Sequence, residues 1–144
     1  MNQSNQNLAA LAGRVLMAAI FVLSGLNKMG DFAGTSAMMS SVGLPMTELL
    51  LAAAILIEVV GGLMLVIGWQ TRCAAAALFL FMIPVTLVFH NPWATADGAA
   101  AQQQMIHFLK NLAIAGGLLN LLAFGAGAYS VEARKADSPA PGLG

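Results

Sequence analysis

LLLAAAILIEVVGGLMLVIG, residues Leu49–Gly68, is an apolar run broken by one carboxylate, Glu58, near its middle. A helix of this length rises ~30 Å, the thickness of a bilayer's hydrocarbon core. Glu58 then lies at ~15 Å depth, where an ionised group costs at least ~3 kcal/mol unless it is paired or protonated. Three residues further on, Gly61 and Gly62 reduce one side of the helix to backbone, which lets a neighbouring helix approach closely. The remaining segments read as the surroundings that make Glu58 tolerable.

Outward from this run, Gly68-Trp69-Gln70-Thr71-Arg72 is a tight connection, so the next apolar segment, about 73–90, folds back as an antiparallel hairpin. Pro84 lies inside that segment and predicts a kink with a freed backbone carbonyl. Asn91-Pro92-Trp93 ends it, with Trp93 as an interface anchor. On the N-terminal side an apolar segment covers about 8–28, interrupted by Arg14 and closed by Lys28 and Asp31. It lacks the basic n-region and the small-residue cleavage site of a secretory signal, and reads as an uncleaved membrane helix. The stretch 29–45 is rich in Gly, Ser and Met and too polar to span, which suits a re-entrant or interfacial piece ahead of the stop at Gly43-Leu44-Pro45. After a polar, Ala-rich loop, the last segment covers about 105–124. The prediction is an all-α integral membrane protein: a four-helix membrane domain over 1–130, its third helix kinked at Pro84, with a flexible tail over 131–144.

Composition agrees. Of 144 residues, 59% are hydrophobic and 8% charged, against about 25% charged in soluble domains; the mean hydropathy is +0.81. Zero net charge without a basic run argues against nucleic acid as a partner. Cys73 is the single cysteine, which excludes an intrachain disulfide, a CxxC redox pair and a Cys-ligated iron–sulfur cluster. No HxxxH or ExxH pair and no nucleotide-binding or nucleophile-elbow motif is present, so no metal site is expected. Four spans put both termini and the 68–72 turn on one side, with Arg72, Arg134 and Lys135 against Lys28 and Lys110 opposite. The positive-inside rule assigns the termini to the cytoplasm.

Two groups of polar residues remain. Arg14 lies ~9 Å and Glu58 ~15 Å from the same membrane face, a difference an arginine can cover, so an Arg14–Glu58 ion pair is one expectation. Such a pair either fixes the register of the bundle or leaves Glu58 as a proton-handling carboxylate or ligand acceptor. Toward the other face, His107, Lys110 and Asn111 stand at i, i+3, i+4 on one helix face, with Lys28 and His90 at helix ends nearby. His107 and Lys110 suit an anion or polar head group; Lys28 and His90 read as snorkelling and interface-seeking side chains. Asn111 points from a deeper position. A b-type haem would need His90 and His107 to face one cavity.

The stretches RVLMAAIFVLSGLNKM (14–29), IEVVGGLMLVIGWQTRCAA (57–75), FLKNLAIAGGLLNLL (108–122) and GAGAYS (125–130) resemble the DoxX family of small bacterial membrane proteins. The resemblance rests on Arg, then SG-x-x-K, then E-x-x-GG, then K-N-L-A-x-x-GG in order. Arg14, Lys28, Glu58, Lys110 and Asn111 match the family's recurring polar positions, and no agreed catalytic motif accompanies them. The resemblance implies an inner-membrane protein, a subunit or partner of a quinone-linked oxidoreductase complex. Quinone is then the implied cofactor, with Arg14 and Glu58 the candidate catalytic residues and Lys28, Glu58, His107, Lys110 and Asn111 the candidate ligand contacts. Its expected surroundings are the lipid bilayer, redox subunits and a second copy of the chain. A non-catalytic membrane scaffold is the alternative, and a small-solute or proton pathway a further one.

Overall fold

The computed structural model describes residues 1–94 and 97–136. Six helices follow one another: α1 (Gln3–Gly30), α2 (Phe32–Ser41), α3 (Thr47–Ile67), α4 (Thr71–Phe89), α5 (Gly98–Phe124) and α6 (Val131–Ala136), with a single 3-10 turn at Pro92–Ala94 between α4 and α5. Four of them, α1, α3, α4 and α5, are long and apolar enough to cross a membrane. No strand occurs among the described residues. This is the all-α four-span architecture expected.

Local chemistry sets the boundaries. Asn2 caps α1 by accepting a hydrogen bond from the Asn5 N–H at 3.0 Å. Asp31 ends α1 and starts α2, its carboxylate accepting from the Gly34 N–H at 3.1 Å. The piece expected to be re-entrant or interfacial is thus a helix of 10 residues. That rises ~15 Å, half a bilayer. It leans on the start of α3, where Ser36 Oγ and Thr47 Oγ1 are 2.8 Å apart.

The α3–α4 turn is as tight as expected. Gly68 is left-handed at φ +67, and its N–H and that of Trp69 reach back to the carbonyls of Leu65 and Met64 at 3.3 and 3.0 Å. Helix α4 runs on through Pro84 to Phe89. Helix α5 begins at Gly98, seven residues before the apolar pattern does, because Asp97 caps it by accepting from the Ala100 N–H at 3.1 Å. Alanine and glutamine, which dominate 99–104, are then good helix formers.

Helices α1 and α3 pack antiparallel and close together. A Cβ built on Gly25 would stand 2.6 Å from Val59 Cγ2, and one on Gly62 would stand 2.7 Å from Val22 Cγ2. Gly61 meets the Leu78 side chain of α4 instead, at 3.0 Å from its Cγ. The two glycines therefore serve two neighbours. A thin core of Ala18, Phe21, Leu65, Ala74, Ala75, Leu78, Met82 and Leu118 runs between the spans. Larger side chains such as Leu16, Leu23, Leu56, Leu80 and Leu112 point outward. Lipid tails are as apolar as leucine, so cohesion comes from close packing and hydrogen bonds rather than from apolar burial.

Candidate functional site

Three polar places lie within the spans. In the first, Glu58 is buried at 4% exposure and faces α1. Its Oε1 accepts from Ser24 Oγ at 3.0 Å and from Lys28 Nζ at 3.0 Å, and its Oε2 faces the same ammonium at 2.9 Å. Lys28 also donates to Ser24 Oγ at 2.6 Å, closing a triangle. Ser24 and Lys28 stand one helical turn apart, on the side of α1 that Gly25 opens to α3. The Arg14–Glu58 pair does not form. Arg14 lies level with Val66, about eight residues along α3 from Glu58, which is ~12 Å of rise. Lys28 is thus the counter-ion, not a snorkelling side chain.

The second place holds Arg14, 1% exposed. Its guanidinium binds backbone only. One terminal nitrogen donates to the Ala126 carbonyl, the other to the carbonyls of Tyr129 at 2.7 Å and Val66 at 3.5 Å. These acceptors replace the water that a buried cation would otherwise need. The loop after α5 is thereby drawn under the first span. Ser130 lies against Gly68, where an added Cβ would come within 2.5 Å of it. The chain continues into α6, whose Glu132 carboxylate accepts from the Thr71 N–H at 2.6 Å, while its own N–H donates to the Gly68 carbonyl at 3.1 Å. The first six residues of the expected flexible tail are thus a short docked helix; residues 137–144 lie outside the described residues.

The third place is the α4–α5 contact. His90 and His107 stack face to face, ring centroids 5.0 Å apart and planes 20° from parallel. Gln104 and Gln103 hold their nitrogens at 3.2 and 3.3 Å. The rings meet each other instead of facing a shared cavity, so the haem arrangement is not present. One turn deeper, Asn111 Nδ2 donates to Thr86 Oγ1 at 3.0 Å. That pair belongs to a groove of about 210 Å³ whose other walls include Phe79, Met82, Phe108 and Leu112. Trp93 sets its ring edge-on to Phe108 at 5.2 Å. Lys110 is exposed.

Five of the six candidates therefore divide among three separate places: Glu58 with Lys28, Arg14 alone, and His107 with Asn111. Ser24 and Thr86 were not singled out from sequence, although Ser24 is the serine of the SG-x-x-K motif. Among the described residues, no three His, Cys, Asp or Glu side chains gather in a way that would hold a metal ion. Chemically, the Glu58 triangle is a compact ion pair, the Arg14 place is a clamp on backbone, and the groove is an apolar slot with an amide and a hydroxyl at one wall.

Comparison with known proteins agrees with this architecture. The DoxX family model matches residues 9–91. The chain is 35% identical over 124 residues to the inner membrane protein YphA of Escherichia coli strain K12, covering 86% of this chain and 88% of that protein. It is 33% identical over 127 residues to the inner membrane protein YqjF of the same strain, covering 88% and 92%. No solved structure matches significantly. With more than half of its length under the family model and two relatives aligned almost end to end, the chain belongs to the DoxX family.

Proposed function

We propose that the chain is a multi-pass inner-membrane protein, termini in the cytoplasm, that serves as a membrane subunit or partner of a quinone-linked oxidoreductase. The inner-membrane assignment follows the two relatives, both of which are named as inner membrane proteins. The observation that carries the quinone is the Thr86–Asn111 pair set into an otherwise apolar, aromatic-walled groove between α4 and α5. In this reading a flat ring would lie in the groove beside Phe79 and Phe108, the Asn111 amide and the Thr86 hydroxyl would together bind one of its carbonyl oxygens, and the isoprenoid chain would leave along the lipid side. A bound quinone would supply two-electron redox capacity. The electrons would come from a partner protein. Glu58 is assigned no proton step in this reading, because it is committed to Lys28 and Ser24 on the opposite pair of helices.

Native mass spectrometry on protein extracted mildly from its own membrane tests this. Retained quinone, or a co-purifying oxidoreductase subunit, is expected, and Asn111→Leu should lose the quinone while keeping the fold. A second reading has its own support: Arg14 and Glu58, the deepest charges, both act on the chain itself. A homo-oligomer carrying ordinary lipid alone would make the protein a scaffold and end the quinone reading.

A further inference from the structure

At the end of the molecule where the termini meet the α3–α4 turn, a cavity of about 370 Å³ opens between the start of α4 and α6. Its walls are Trp69, Gln70, Arg72, Cys73, Glu132 and Lys135. Two cations therefore converge on a partly apolar hollow. The carboxylate among them is already committed, since Glu132 accepts the Thr71 N–H at 2.6 Å. Arg72 makes no hydrogen bond or ion pair within the described residues; its guanidinium passes beside Gly125, where an added Cβ would stand 3.5 Å from Nε. Gln70, left-handed at φ +49, precedes α4 and makes no side-chain cap, so Glu132 serves as the cap from α6. The hollow thus combines a fork of guanidinium donors and an ammonium, beside the start of α4, whose first N–H Glu132 already takes. Trp69 is exposed beside it, a residue type that favours the membrane–water interface.

We propose that this hollow is a phosphate site, and that it takes the phosphodiester of an anionic phospholipid. Arg72 and Lys135 would hold the phosphate oxygens, Trp69 would lie along the glycerol, and the acyl chains would follow the outward leucines of the spans. The α6 helix is then a lipid-gated element, docked by Glu132 and reinforced by the lipid through Lys135. The proposal requires that this end face a membrane surface; it does not depend on the quinone reading.

Cys73 supplies the readout, because it is the single cysteine and lines the hollow. The full chain is reconstituted into nanodiscs of phosphatidylcholine alone or with phosphatidylglycerol, and Cys73 is alkylated with N-ethylmaleimide, an uncharged reagent. Phosphatidylglycerol should slow alkylation several-fold in the wild type. In the Arg72→Gln/Lys135→Gln variant the slowing by phosphatidylglycerol should fall several-fold below that in the wild type, each cation near an anionic surface being worth about fivefold in affinity. The bulk effect of membrane charge acts on both proteins alike, so the ratio of the lipid effect in wild type to that in the variant cancels it. A far-ultraviolet helix signal equal to wild type shows that the variant is folded; if it is not, Arg72→Gln alone replaces it. Inorganic phosphate and glycerol 3-phosphate, added to phosphatidylcholine discs, separate the sources. Protection by these soluble anions equal to that by phosphatidylglycerol keeps the phosphate site and overturns the lipid as its ligand. An equal lipid effect in variant and wild type, or none in either, overturns the site.

Discussion

Glu58 is the single charged side chain between Leu49 and Ile67, and its partner comes from the far end of another helix. Removing one member of such a pair is costlier than removing both, because the survivor keeps a buried charge. Lys28→Met should therefore destabilise the fold by about 2–4 kcal/mol, Glu58→Gln by less, and Lys28→Met with Glu58→Leu should recover part of the loss. Unfolding in mixed micelles of dodecyl sulfate and maltoside measures all three, and a silent Lys28→Met would mean that the triangle holds nothing together. That Glu58 needs a partner was legible in the sequence from its depth alone. Which partner was not, since the choice between Arg14 and Lys28 depends on how far α1 slides along α3, and apolar runs carry no mark of that offset. Arg14 was harder still. Its acceptors are the carbonyls of Ala126, Tyr129 and Val66, and every residue has a carbonyl.

Between elements, the seam of α1 and α3 is set by backbone approach. Gly62→Ala would bring its methyl group to 2.7 Å from Val22 Cγ2 and 3.3 Å from the Ala18 carbonyl. Valine is stiff at χ1 and backbone cannot retreat, so the helices must part, at a cost of about 1–3 kcal/mol. Gly116→Ala meets nothing within 4 Å, and should be neutral or slightly stabilising, by up to about 1 kcal/mol of helix propensity. The same micelle titration discriminates them; equal losses would show that glycine content, not this seam, governs stability. Length and hydropathy made the four spans and the 68–72 hairpin readable. The start of α5 was not, because its first turns are Ala and Gln rather than a leucine pattern. The two Gly pairs look alike in sequence and differ in place: Gly61 and Gly62 touch two neighbours, whereas Gly116 is open and Gly117 abuts Met17. Periodicity reports a face, never what stands opposite it.

Over the whole molecule, the C-terminal segment closes the bundle. Arg14 draws the 126–129 loop beneath α1, and Glu132 fastens α6 to the α3–α4 turn. Arg14→Met should release this closure, each lost charge-assisted hydrogen bond being worth about 1.5–3 kcal/mol. Tryptic cleavage after Arg134 and Lys135 should then speed up tenfold or more while the four spans stay folded. Unchanged cleavage would mean that α6 is held by Glu132 alone. Arg14→Lys should not restore protection, because one ammonium does not reproduce a guanidinium fork across separate carbonyls. The clamp also has a direction in time. Arg14 leaves the ribosome well before its main acceptors, the carbonyls of Ala126 and Tyr129, which follow 112 and 115 residues later. At about 5–20 residues per second, that interval is roughly 6–23 s. Throughout it, a cation in the first span has no carbonyl from the C-terminal loop to bind, and water or the insertion machinery must hold it. The loop at 126–129 is thus what lets the span that carries Arg14 settle, and a chain cut short before Ala126 keeps a buried cation without its main acceptors.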